Sequence, residues 1–343
     1  MTQPSPSPMN WFETLTGFAE TSPEQVRKNL TLEGETLSSR VNGRSMACGR
    51  LETPSLAELR DRVHSAEHNG SGTLSLRETV ANVQDLHTDA SLSGSLFQVA
   101  SQFNLLEMTS PSVTPERGVG IYEQDRTQGP ACAIAAGAGT IYRNYFVNVN
   151  GQTGQTAANQ IDCLADIGRD LNNSNSRLWE MRNGYALPSK PGLIEISHRL
   201  RESTEQEIDE LRKLLRIGIQ WETQVTLHDS KHTVSQAYCS ALPIAYCRHE
   251  LDLWESFARL ILEASYEAAI CAAILNSRRT GCRKVFLTLL GGGAFGNPTE
   301  WIMKALERAV RLYETFDLEV AVVSYGASKE CVRELVNQFA IRR

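Results

Sequence analysis

The chain has 343 residues, 41% of them hydrophobic and 22% charged, with a formal net charge of −6. This suits a globular protein with a large core, in one or two domains. The acidic balance and the lack of a long basic run disfavour a broad nucleic-acid surface, and no stretch approaches the roughly 18 unbroken apolar residues of a membrane span.

Residues 1–8 are Ser/Pro-rich with no apolar signal core, and residues 1–9 are expected to form a flexible tail. Residues 10–94 read as a helical N-terminal extension. Thr21-x-x-Glu24 with Pro23, Ser55-x-x-Glu58 and Ser75-x-x-Glu78 all match the capping box that opens a helix. The piece Glu67-His-Asn69-Gly-Ser71-Gly72-Thr73-Leu-Ser75-Leu-Arg-Glu78 imitates a calcium loop, with a central glycine and a terminal glutamate. Its first position is not aspartate and it holds two carboxylates. A Gly/Ser turn leading into a helix capped by Ser75 is therefore the preferred expectation.

From Leu96 the texture becomes that of a buried sheet. Stretches 96–103, 214–225, 234–245, 285–290 and 318–325 read as strands, and 251–276 and 299–315 as helices with apolar residues on one face. Strand 285–290, helix 299–315 and strand 318–325 form a βαβ unit, which implies a parallel pair. The polar stretch 148–159 and the charged helix 194–213 belong to an insertion at about 148–213. Eight dispersed cysteines with no Cys-x-x-Cys pair read as free thiols in a reducing, cytoplasmic setting. His228-x-x-x-His232 has helix-type metal spacing but lies in a polar turn, so no metal is expected.

The segment Leu290-Gly291-Gly292-Gly293-Ala294-Phe295-Gly296-Asn297-Pro298 joins a strand to a helix start. Side-chain-free backbone lets N–H groups approach phosphates there, and a helix N-terminus favours anions. Gly291-x-Gly293-x-x-Gly296 formally matches the dinucleotide fingerprint. However, only about fifty residues follow it, and the next strand ends Val323-Ser324-Tyr325-Gly326 without the acid that would hold a ribose. A nicotinamide-dependent oxidoreductase is thus a distant alternative, and no Gly-Lys-Ser/Thr supports a triphosphate loop.

The order Leu262-x-x-Ser-Tyr266-x-x-Ala269, then the strand from Lys284, then the glycine loop with Asn297-Pro298, resembles the C-terminal half of a macrodomain. Val99-Ala-Ser-Gln-Phe-Asn104 is similar to that family's strand ending in Ala-Asn, and 234–243 to its strand ending near a proline. Ala100-Ser-Gln-Phe-Asn-Leu-Leu-Glu107, Tyr122-Glu-Gln-Asp-Arg-Thr-Gln-Gly-Pro130, Thr140-Ile-Tyr-Arg-Asn-Tyr145 and Ser235-Gln-Ala-Tyr-Cys-Ser-Ala-Leu-Pro243 together resemble the divergent MavL-type macrodomains, over roughly residues 95–330. That family is typified by a bacterial effector that removes ADP-ribose from an arginine of ubiquitin. The resemblance implies a three-layer α/β/α mixed sheet over 95–343 and a ligand, ADP-ribose, with no cofactor. It also implies a hydrolase acting on an ADP-ribosylated protein such as ubiquitin. A reader that binds ADP-ribose without cleaving it is the alternative, since fold does not decide activity.

Within that reading Gly291, Gly292, Gly293, Ala294, Phe295, Gly296 and Asn297 would grip the diphosphate, with Phe295 against a ribose or anchoring the loop. Hydrolysis wants one carboxylate for proton transfer and a second to hold a guanidinium. The candidates are Asp125, Glu107 and Glu222, with Asp125 and Glu222 the favoured pair and Asp229 a weaker substitute. Asp125 could equally cap a turn at Thr127 and Gln128, and Glu222 could be an exposed strand residue. Asn104, Thr127 and Gln128 are candidate ribose or phosphate partners, Asn104 being as readily an Asx turn. Tyr142, Arg143 and Tyr145 read as packed, the alternative being that one lines a pocket; Trp179 and Tyr185 read as a satellite cluster in the insertion, the alternative being contact with the adenine or the modified protein.

Overall fold

The computed structural model describes residues 9–65 and 72–341. The first part alternates short helices and strands: α1 (Trp11–Thr16), α2 (Pro23–Asn29), β1 (Leu30–Glu33), β2 (Thr36–Ser39), β3 (Ser45–Ala47), β4 (Arg50–Glu52), α3 (Leu56–Ser65), β5 (Ser75–Val80), α4 (Val83–Thr88) and β6 (Leu96–Ala100). The middle holds α5 (Gln128–Ala135), α6 (Gly137–Tyr145), β7 (Asn148–Val149), β8 (Gln152–Thr153), α7 (Ala165–Asp170), β9 (Trp179–Arg182), β10 (Tyr185–Pro188), α8 (Lys190–Glu202) and α9 (Glu205–Leu214). The last part holds β11 (Gly218–Gln224), β12 (Thr233–Cys239), α10 (Leu251–Thr280), β13 (Lys284–Leu287), α11 (Thr299–Leu312), β14 (Glu319–Ser324) and α12 (Glu330–Ile341).

Seven strands form one mixed sheet in the order β4-β11-β12-β6-β13-β14-β5. From β12 to β5 the neighbours are parallel; β11 is antiparallel to both β12 and β4. Helices cover both faces, as the alternation along β12 makes visible. Gln236 reaches Cys132 on α5 and Tyr238 reaches Arg143 on α6, whereas the Cys239 thiol faces Ser265 on α10. The expected three-layer α/β/α mixed sheet is therefore present. So are the parallel pair β13–β14, the strands read at 96–103, 214–225 and 234–245, and the long helix from Leu251. Between β8 and β11 the chain leaves the sheet and forms the β9–β10 hairpin and helices α7 to α9.

The helical reading of 10–94 is corrected. β1, β2 and β3 form a separate three-stranded sheet, and β4 and β5 are the two edges of the main one. The Ser55–Glu58 capping box does form. At 21–24 the cap moves one residue on, to Ser22 with Pro23 behind it. Ser75 opens no helix: 75–80 pairs with β14 along its whole length, and long-range pairing overrides the local capping pattern. Glu78 accepts hydrogen bonds from the Ser324 and Ser328 hydroxyls and the Lys329 N–H, which tie β5 to the start of α12. Residues 66–71 of the calcium-like piece lie outside the described residues.

Most apolar side chains belong to the core around α10 and the sheet. A second core joins Trp11, Phe12, Leu15, Val26, Leu30 and Leu37 to Leu106, Met108, Val119, Tyr122, Ile141 and Tyr145. The N-terminal elements thus pack against the segment that follows β6. All eight cysteines are unpaired, five of them buried. No helix among the described residues is long and apolar enough to cross a membrane, and no cluster there could hold a metal ion. His228 is exposed in a turn, and His232 contacts the His87 carbonyl.

Candidate active site

Parallel β6 and β13 pair only at Leu96–Val285 and Phe97–Phe286, then diverge. The vacated edge of β6 is taken by a side chain: Gln128 Oε1 accepts from Ala100 N–H, and its Nε2 donates to the Gln98 carbonyl. Where two parallel strands part at their C-terminal ends, an open α/β sheet makes a crevice suited to a ligand. Here the crevice has a volume of about 210 Å³.

One wall is the glycine loop. Tyr266 OH, held by the Thr288 carbonyl, accepts from Leu290 N–H and fixes the strand end. Gly291 has φ +75°, and a Cβ there would sit 2.5 Å from the Ala241 Cβ, so the turn requires glycine. Asn297 closes the loop by donating its side-chain amide to the Leu242 carbonyl, while its N–H donates to Gly291. Phe295 passes its carbonyl to Ala245 N–H. Among the described residues, no hydrogen bond uses the N–H groups of Gly291, Gly293, Ala294 or Phe295, all four of which line the cleft. Unengaged backbone donors on one bend are the kind of group that suits an anion.

The other wall carries one carboxyl, Asp125, and is backed by another, Glu107. Glu107 is buried, and both of its side-chain oxygens lack a hydrogen-bond partner. Burial pushes its carboxyl up to about 8, although the Arg143 guanidinium pulls the other way. The closest approach, Arg143 Nη2 to Glu107 Oε2, is 3.6 Å, an ionic contact rather than a formed hydrogen bond. Asp125 is half-buried at the mouth and accepts from Thr127 N–H with one oxygen. Helix α5 begins beside both. Gly129 permits this, because a Cβ there would lie 1.9 Å from the Ala100 carbonyl oxygen and 3.1 Å from Glu107 Cγ. An aromatic cluster closes one end: Tyr185 lies 5.1 Å from Tyr246 and 5.4 Å from Phe295, ring centre to ring centre.

Asp125, Glu107, Thr127, Gln128, Gly291, Gly293, Ala294 and Phe295 thus line one cleft. The remaining candidates do not. Glu222 is corrected: it sits at a bulge in β11 with φ +51°, exposed and paired with Arg279, because the bulge turns it out of the strand's alternation. Of the three candidate carboxylates, Asp125 and Glu107 lie at the cleft and Glu222 does not. Asp229 is exposed and engaged by Arg44. Asn104 is buried, its side chain spent on Leu106 N–H and Gln160, which is the Asx turn. Gly292 lines a groove behind the loop with Thr299 and Lys329, while Gly296 and Asn297 serve the loop's internal bonds. The polar atoms of Gln128 are occupied by β6.

Tyr185, weighed in the sequence as a satellite aromatic that could meet the adenine, lines this cleft, as does Tyr246, which the sequence did not point to. The first had a signal: Asn183-Gly184, both at positive φ, is a tight hairpin turn that presents Tyr185 at a fixed place. Tyr246 had none. Trp179 is buried against Phe257.

No family model matches the chain, and no curated protein does. Solved structures do. A poly(ADP-ribose) glycohydrolase from Thermomonospora curvata is similar at 11% identity and a TM-score of 0.42, covering 93% of this chain and 96% of its own. One from Deinococcus radiodurans, in complex with ADP-ribose, gives 11% identity and a TM-score of 0.44, covering 84% of this chain and 94% of its own. At such identities and scores the site has to be judged on its own residues.

Proposed function

We propose that this protein is an ADP-ribosyl hydrolase that removes mono-ADP-ribose from a modified arginine on a protein such as ubiquitin. The observation that carries the reading is a single cleft lined on one side by four residues with unengaged backbone N–H groups and on the other by Asp125, with the buried Glu107 carboxyl behind it. The first wall suits a diphosphate and the second suits glycosidic bond cleavage. The MavL-type sequence segments support arginine as the linkage.

In this reading the diphosphate lies on the bend at 291–295 and the ribose extends toward Asp125. Glu107, protonated near neutral pH, gives its proton to the nitrogen leaving the anomeric carbon. Asp125 draws a proton from the water that adds to that carbon. The products are arginine and ADP-ribose, and the proton on Asp125 returns to Glu107 through solvent. Tyr185, Tyr246 and Phe295 keep water away from the ribose face.

The test combines calorimetry with ADP-ribose and NAD and incubation with arginine-ADP-ribosylated ubiquitin, with poly(ADP-ribose) as the control substrate. Release of ADP-ribose from the first substrate is expected. Asp125→Ala should lower turnover about tenfold or more while ADP-ribose affinity stays within a few-fold. Binding without release would make the protein a reader, and NAD binding without ADP-ribose binding would remove the whole reading.

A further inference from the structure

We propose that Arg143 is the positioning residue of this site: it locks the turn that carries Glu107 and holds its buried carboxyl in place behind the cleft wall. The catalytic part of this inference rests on the function proposed above; the placement of Glu107 does not. Leu105, two residues before Glu107, has φ +65°. A branched apolar residue in that region is strained by about 1–2 kcal/mol, and something must hold it there. Arg143 does so by donating Nε to the Leu105 carbonyl at 3.0 Å. The same guanidinium brings Nη2 to 3.6 Å from Glu107 Oε2. One planar fork therefore fixes both the backbone before the acid and the field around it.

Arg143 is itself held from every side. It is fully buried and lies 3.7 Å above the Tyr238 ring. Nη1 donates to Tyr238 OH, and Nη2 donates to Thr140 Oγ1 at 3.3 Å. Tyr238 in turn donates to Gln236 Oε1, whose amide donates to His87 Nε2 at 3.0 Å and to the Cys132 carbonyl at 2.9 Å. Burial holds His87 down to about 4, so it stays neutral and accepts. Arg143 belongs to a directed chain of bonds that reaches from α4 across β12 to the cleft.

Other groups facing Glu107 are Tyr122 in the turn before Asp125, Cys132 on α5 and Tyr238 on β12. Burial pushes all three upward, so they remain neutral. Tyr122 OH accepts the Glu107 N–H. Asp125 shares the cleft. Burial is the largest influence on Glu107, and Arg143 is the neighbouring charge that opposes it.

The experiment uses full-length protein labelled with carbon-13 at glutamate carboxyls, without ligand, the Glu107 signal being assigned by its loss in Glu107→Gln. In Arg143→Met the Glu107 midpoint is expected to rise by about one unit or more, because the neighbouring cation is gone. In parallel, kcat on arginine-linked ADP-ribose falls about tenfold or more with KM within about twofold, as expected for a misplaced acid. An unmoved midpoint, or a raised KM with kcat intact, overturns the inference. Should Arg143→Met not fold, Arg143→Lys keeps the charge but, as a single point donor, cannot serve both Leu105 and Glu107. A fall of about fivefold or more in kcat supports the role, and a wild-type kcat overturns it. If the wild-type protein does not bind ADP-ribose, the proposed function fails while the titration still judges Arg143.

Discussion

The glycine wall of the cleft takes its shape inside one loop, whereas the carboxyl wall is assembled from segments far apart in the chain. Gly291 bends, Asn297 closes, and the unengaged N–H groups of Gly291, Gly293, Ala294 and Phe295 are held on this bend by contacts within 288–297 and to the neighbouring 241–245. Glu107 is placed by Tyr122 beneath its backbone, by Arg143 from α6, and by the close approach of Gly129. Farther out, Glu20 accepts from the Val119 and Gly120 N–H groups and from Tyr145 OH, pinning the 105–125 segment to the N-terminal core. A wall of backbone donors is set by local conformation; a wall of titratable side chains is set by what surrounds it. Donors of the first kind do not titrate, and the second kind is tuned by burial.

The largest expected effect divides the walls directly. Glu107→Gln preserves shape but removes the transferable proton. It should lower kcat about 100-fold or more with ADP-ribose affinity within a few-fold, read by steady-state kinetics and calorimetry. The same variant reports on stability. Glu107 rises from its ordinary value of 4.5 to about 8 on folding, so between these values the folded state binds more protons than the unfolded one. Stability is then complete below about 4.5 and is lost as pH rises toward 8, by at most about 1.4 kcal/mol per pH unit. Glutamine, which mimics the protonated acid, should flatten that loss in denaturant titrations. Equal slopes for the two proteins would mean that Glu107 is not raised.

Next in size is Glu20→Ala, which leaves three donors behind the carboxyl wall without their acceptor. It should cost about 2–3 kcal/mol in denaturant titration, in the range for hydrogen bonds to a charged group. Turnover should fall while ADP-ribose affinity, supplied by the other wall, stays within a few-fold. A parallel collapse of affinity would mean that the walls are not separable.

The same division explains what was legible in the sequence. The glycine loop, the strands at 96–100, 233–239 and 319–324 and helix α10 are each announced by their own residues: an apolar run, a helical period, glycines before Asn-Pro. The pieces that were not legible depend on partners far away. Ser75-Leu-Arg-Glu78 carries a capping pattern, and only pairing with β14, more than two hundred residues on, makes it a strand. Glu222 sits in a readable strand, but a bulge in its pairing with β12, together with Gly49 packed against the Trp221 carbonyl, turns it outward. Asp125 and Glu107 were recognisable as acids in a turn-rich segment. That Glu107 rather than Glu222 would share the cleft follows from Arg143, Tyr122 and the second core, none of which a local pattern encodes.

The smallest expected effect compares two glycines of one wall. At Gly291 a methyl group meets the Ala241 Cβ at 2.5 Å and Asn297 Nδ2 at 2.7 Å, in a backbone with φ +75°. At Gly293 nothing lies within 4 Å of the added Cβ, and φ is outside the left-handed region. Both N–H groups line the cleft without an internal partner. Gly291→Ala should therefore destabilise by about 1–2 kcal/mol and weaken ADP-ribose binding with it, since the bend must open to relieve the strain. Gly293→Ala should leave stability within about 0.5 kcal/mol, because exposed substitutions away from strained positions rarely do more. If backbone donors make the grip, its affinity should also stay near wild type, as alanine keeps the N–H. A loss of affinity in Gly293→Ala at unchanged stability would instead mean that the ligand packs against the bare Cα. The wall would then recognise shape more than charge.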